Sequence, residues 1–174
     1  TEAETLPPAL RGVLPAKYDT TQPVDAYLSA PASTKGPFPV LLFSHGFGGE
    51  RLYYSELLAG IASWGYVVVS ADYLERGLAS QAVPGAPEPT KANDQATIFA
   101  SLAAVEAASK TAGSPLEGSV DSSKVATAGH SAGGGTAFDA LSSPKVATAI
   151  GWAPVPPAEP GSAKPVMLLC LIHI

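Results

Sequence analysis

The stretch Lys124-Val125-Ala126-Thr127-Ala128-Gly129-His130-Ser131-Ala132-Gly133 decides the reading of this chain. Lys124 to Ala128 reads as a short buried strand, and Gly134 to Leu141 reads as a helix. Between them lies Gly129-His130-Ser131-Ala132-Gly133, a G-x-S-x-G turn. A strand that reverses so sharply into a helix holds the central serine in a strained conformation, its hydroxyl out above the sheet. Glycine flanks the serine because a Cβ there would collide with the neighbouring strand and helix. Ser131 is therefore a candidate nucleophile. The five-residue pattern alone is a weak signal in a glycine-rich chain; the strand before it and the helix after it carry the weight.

Working outward, Pro39 to Ser44 is a continuous apolar run, as expected for a strand covered on both faces. It enters a glycine loop, His45-Gly46-Phe47-Gly48-Gly49. Tyr53 to Trp64 carries Tyr54, Leu57, Leu58, Ile61 and Trp64 at helical spacing, and Gly65 ends that helix. Tyr66 to Ser70 is a second buried strand. A long loop spans residues 74–92. Asn93 or Asp94 then caps a helix to about Lys110, with Ile98, Leu102 and Val105 as its buried stripe. Beyond the serine turn come a strand from Val146 to Trp152, a proline-rich loop from Ala153 to Pro165, and a last strand from Val166 to Leu171. Near the start, Val24 to Ser29 alternates and reads as an antiparallel edge strand. Strands alternating with helices after an antiparallel start predict an α/β fold, a mostly parallel sheet with helices on both faces.

Composition bounds the function. The 174 residues make one domain by length. With 46% hydrophobic and 14% charged residues, the chain buries a core rather than staying disordered. A net charge of −5 without a basic stripe argues against nucleic acid as a partner. No apolar run reaches membrane-spanning length. Three dispersed histidines and the lone Cys170 make no metal site, and Cys170 reads as a small buried hydrophobe. Gly46-Phe47-Gly48-Gly49 lacks the Gly-Lys-Ser/Thr of a phosphate loop, and acyl transfer through a serine nucleophile would need no cofactor. The chain opens on Thr1 and not Met, which points to a removed leader or upstream segment.

A serine nucleophile needs a base, an orienting acid and a hole for the oxyanion. Two backbone N–H groups are expected to form the hole. One is that of Ala132, at the helix N-terminus, where the dipole also favours negative charge. The other is that of Phe47, in the loop after the central strand. His45 and His130 are poor bases: the first should brace its loop, and the second should point away from Ser131. After Ser131 the acids are Asp139 and Glu159, and the histidine is His173. Asp139 lies about 12 Å down the helix. Ser131, Glu159 and His173 satisfy the order serine, acid, histidine formally.

These residues resemble the α/β-hydrolase superfamily over nearly the whole chain. The likeness is carried by Val40 to Gly49, by Leu58 to Asp72, and by Val120 to Ala126 leading into Gly129 to Thr136. More closely, the chain resembles bacterial cutinase-type polyester hydrolases and the neighbouring dienelactone hydrolase-like and platelet-activating-factor acetylhydrolase-like esterases. Gly133-Gly134-Gly135 is the polyester-hydrolase feature. The resemblance implies a serine esterase acting on small-molecule or polymeric esters, with Ser131 as nucleophile and Phe47 and Ala132 as oxyanion donors. Phe47 would also be an aromatic wall for the acyl group. It implies secretion too. Ala132 stands where that family often has Met, and Val155 where it has a clamping Trp, with Trp152 offset. Lys164 to Cys170 resembles the strand that leads to the catalytic Asp, but Leu171-Ile172-His173-Ile174 then replaces the expected glycine turn. The resemblance therefore implies a single hydrolase domain, residues 1–174, incomplete at its C-terminus. Such a chain is expected to self-associate through a raw sheet edge. Phospholipid or thioester hydrolysis, and an inactive fragment without acid and base, are the alternatives.

Overall fold

The computed structural model describes residues 23–82, 84–155 and 163–170. Five strands are described: β1 (Phe38–Ser44), β2 (Val67–Ser70), β3 (Val120–His130), β4 (Val146–Trp152) and β5 (Val166–Leu169). The helices are α1 (Ser55–Ser63), α2 (Leu78–Ala82), α3 (Lys91–Lys110) and α4 (Ala132–Asp139), the last running into a 3-10 turn over Ala140–Ser142. The strand order is β2-β1-β3-β4-β5, and every pairing is parallel. Parallel neighbours need crossovers, which is why strand and helix alternate along the sequence.

Both faces of the sheet are covered at β1. Along β1, Val40 and Leu42 face one way and pack with Ile98 and Leu102 of α3 and Phe138 of α4. Leu41 and Phe43 face the other way and pack with Leu58 and Ile61 of α1. An apolar run without alternation is the mark of such a strand. The stripe expected on α3 is present: Ile98 and Leu102 are buried and Val105 packs against the same cluster.

The strand before the serine begins at Val120 rather than Lys124, the helix after it is Ala132–Asp139 rather than Gly134 to Leu141, and three further expectations differ. The antiparallel edge does not form: residues 24–29 are bend and turn, and Tyr27 and Leu28 are almost fully exposed. Alternation creates a strand only where a partner offers hydrogen bonds, and no described strand pairs with this segment. The cap of α3 is Thr90, not Asn93 or Asp94; its side chain accepts from the Asn93 N–H at 3.1 Å. The loop at 74–92 contains the short helix α2. No helix among the described residues is long and apolar enough to cross a membrane.

Chain order runs from β1 outward to β2, then back across β1 to β3 and on to β4 and β5. The connections leaving β1 and β3 therefore diverge to opposite sides. At such a switch point the carboxyl ends of neighbouring strands open a crevice. The loop after β1 is His45 to Gly49, and the turn after β3 holds Ser131.

Candidate functional site

Ser131 has φ 53° and ψ −122°, a left-handed conformation that a non-glycine residue adopts at a cost of about 1–3 kcal/mol. It is held there from several sides. Its N–H donates to Trp152 O at 2.9 Å, continuing the β3–β4 ladder. Its carbonyl accepts from Gly134 N–H at 2.9 Å and from Val155 N–H at 3.0 Å. The flanking glycines are required sterically. A Cβ on Gly129 would lie 2.2 Å from Gly133 O, and a Cβ on Gly133 would lie 2.0 Å from Ser44 O. The sequence therefore dictates a turn in which β3, α4 and the end of β1 approach to backbone contact.

Ser131 stands at the N-cap of α4, so Ala132 is the first helical residue and its N–H has no intrahelical acceptor. Across the crevice, a Cβ built on Gly46 would be 3.2 Å from Ser131 Cβ, so the loop carrying Phe47 abuts the serine. Among the described residues neither the Phe47 nor the Ala132 N–H donates to a backbone acceptor. Phe47 is 60% exposed beside the serine.

His45 is buried and acts as a brace. Its Nε2 accepts from the Tyr73 N–H at 3.1 Å, so Nδ1 carries the proton and donates to Gly46 O at 2.8 Å. Burial holds its pKa below the usual 6.5, with the Gly46 bond opposing that. His130 Nδ1 pairs with Tyr54 Oη at 2.8 Å. Asp139 is ion-paired with Lys91 at 2.5 Å, at the far end of α4. Trp152 ends β4 with its ring 5.6 Å from that of Phe43, while Val155 is exposed. Glu159 and His173 lie outside the described residues. Among the described residues no group of His, Cys, Asp and Glu is placed to hold a metal ion. Cys170 is half-buried.

The loop after β2 contributes residues that the sequence did not single out. Arg76 is 1% exposed. Its Nη2 donates to Ser44 Oγ at 2.5 Å and to His45 O at 3.0 Å, and its Nη1 donates to Thr136 Oγ1 at 3.2 Å. It is ion-paired with Asp94 of α3, and its guanidinium lies 3.9 Å from the centroid of the Tyr73 ring. Burial lowers the pKa of Arg76 and raises that of Asp94, each against the pull of its partner. Burial also pushes the Tyr73 phenol up to about 12. The one available signal was placement: Arg76 follows the strand neighbouring β1, in a loop that topology brings to the same sheet edge. Nothing in its spacing reveals burial.

Known proteins similar to this chain include two esterases. Chlorophyllase-1 of Arabidopsis thaliana is 31% identical over 139 residues, covering 79% of this chain and 39% of that protein. Platelet-activating factor acetylhydrolase of Cavia porcellus is 26% identical over 157 residues, covering 68% of this chain and 35% of that protein. The chain thus spans well under half the length of either. The superfamily expected from the serine turn is the one these relatives share. The chlorophyllase family model matches residues 11–162, and with the parallel sheet and the strained serine turn in place, the chain belongs to the chlorophyllase family of α/β-hydrolases.

Proposed function

We propose that this chain carries the nucleophile and oxyanion hole of a serine hydrolase that cleaves carboxylic esters through an acyl-enzyme. The observation that carries the reading is Ser131 at φ 53°, on a strand-to-helix turn at the sheet's switch point. Ser131 Oγ attacks the ester carbonyl and loses its proton to a base. The carbonyl π electrons move to oxygen, and that oxyanion sits on the N–H groups of Phe47 and Ala132. Collapse expels the alcohol, which takes up a proton. Water then attacks the acyl-serine, releasing the acid and restoring the hydroxyl. The neutral peptide donors, one of them at the N-terminus of α4, suit a charge that exists only in the tetrahedral species.

Glu159 and His173 complete the formal order within this chain. The competing state is a serine turn without a base. Hydrolysis of p-nitrophenyl butyrate by the 174-residue chain, with Ser131→Ala as control, decides between them. In the natural protein a fluorophosphonate is expected to label Ser131 and to leave Ser131→Ala unlabelled. An unlabelled wild-type serine would overturn the reading.

The substrate is the finer question. The relatives are named for action on chlorophyll and on platelet-activating factor, which supports an ester with a large apolar part; the exposed Phe47 offers such a group a wall. Cutinase-like or polyesterase action is the reading drawn from the glycine triplet. The likeness to platelet-activating factor acetylhydrolase favours a second, phospholipid-type ester. Side-by-side rates on polyester, phospholipid and acyl-thioester rank these. Secretion belongs to the same reading and is checked by fractionating the natural host's culture.

A further inference from the structure

We propose that Arg76 is a positioning residue for the oxyanion hole, an inference that rests on the serine-hydrolase reading above. The two donor N–H groups belong to different elements. Phe47 lies in the loop after β1, and Ala132 opens α4. A hole made from two elements works only if their separation is set to a fraction of an ångström before substrate arrives. Arg76 is bonded to both.

On the β1 side, the Arg76 carbonyl accepts from the Gly48 N–H at 2.7 Å, next in sequence to Phe47. Its guanidinium holds His45 O and Ser44 Oγ, just before the loop. The bond from Leu78 N–H to Gly49 O, 2.8 Å, closes the same pair of loops one step further on. On the α4 side, Nη1 reaches Thr136 Oγ1. Thr136 stands one turn below Ala132, and its hydroxyl also lies 3.3 Å from Ala132 O. Asp94 meets both the guanidinium and Thr136, so α3 anchors the assembly from behind. The guanidinium is a planar fork with fixed donor directions. It spans the end of β1 and α4 at Thr136 as one rigid piece. An ammonium would keep the charge opposite Asp94 but could not direct bonds to His45 O, Ser44 Oγ and Thr136 together.

The test uses the natural protein with p-nitrophenyl butyrate, counting active sites by fluorophosphonate titration so that misfolded molecules drop out. Arg76→Lys is expected to lower kcat per titrated site roughly tenfold to hundredfold, with KM within about twofold. Thr136→Val removes the α4 link together with the Thr136–Asp94 bond, leaves the β1-side bonds of Arg76 in place, and is expected to lower kcat by a smaller factor, again with KM nearly unchanged. A wild-type kcat per site in Arg76→Lys, with only a lower melting temperature, would overturn the proposal, as would a raised KM at constant kcat. If Arg76→Lys does not fold, Thr136→Val decides: an unchanged kcat per site overturns the proposal. Full activity in Ser131→Ala would instead overturn the serine-hydrolase reading, so the two failures are distinguishable.

Discussion

Strands β1 and β5 look alike as sequence and behave oppositely as structure. Each is a short run of large apolar residues. Val40 to Phe43 are at most 5% exposed, whereas Val166, Met167, Leu168 and Leu169 are 40–55% exposed. β1 lies between β2 and β3, with α1 on one face and α3 and α4 on the other. β5 pairs with β4 alone among the described strands. Burial is thus a property of a strand's neighbours as much as of its residues. The centre of the sheet is also where the serine turn sits, because close packing of β1, β3 and α4 is what holds Ser131 in its strained state.

The sharpest way to break this contrast is at the turn. Gly133→Ala puts a Cβ 2.0 Å from Ser44 O, a backbone atom that cannot swing aside. It is expected to cost at least about 3 kcal/mol, read as loss of soluble folded protein or a large fall in melting temperature. Next comes truncation in matched strands. Leu42→Ala, at 1% exposure, should cost about 2–5 kcal/mol, whereas Leu168→Ala, at 55%, should cost under about 1 kcal/mol. Equal losses in urea titrations would mean that β5 is covered in solution.

A pH effect separates the centre further. The folded pKa of His45 lies below its unfolded value of 6.5 because burial disfavours the imidazolium. Its stabilising contribution is therefore complete above pH 6.5 and is lost as pH falls from there toward the folded pKa, at up to about 1.4 kcal/mol per pH unit. Thermal unfolding across pH 5 to 8 should show this loss, and His45→Gln should flatten it. An equal slope in the variant would assign the effect elsewhere. The smallest effect is at the rim. The 174-residue chain is expected to associate through the exposed β5, and Met167→Lys should shift its sedimentation toward monomer with a stability change within about 0.5 kcal/mol. A clean wild-type monomer would remove that expectation.

Much of the fold was legible in local pattern. The runs at Pro39 to Ser44 and Val146 to Trp152 announced their strands, and the 3.6-residue spacing of Ile98, Leu102 and Val105 announced α3. Val24 to Ser29 misled because alternation states which residues would share a face, not whether a partner strand is present. The Thr90 cap was missed because several polar residues at a helix start can each cap it, and backbone geometry selects one.

The site divides in the same way. By itself the sequence determined the strained serine, since Gly129-His130-Ser131-Ala132-Gly133 admits little else between a strand and a helix, and its glycines meet backbone atoms that any Cβ would strike. It also placed Ala132 at a helix N-terminus, where an N–H is left over by helix geometry alone. Only the tertiary structure decided that Gly46 abuts Ser131, that His45 is locked in one tautomer, and that Arg76 joins the end of β1 to α4. Those relations link residues dozens of positions apart. They arise because parallel strand order, set by the packing of both sheet faces, brings the ends of β1, β2 and β3 to one edge.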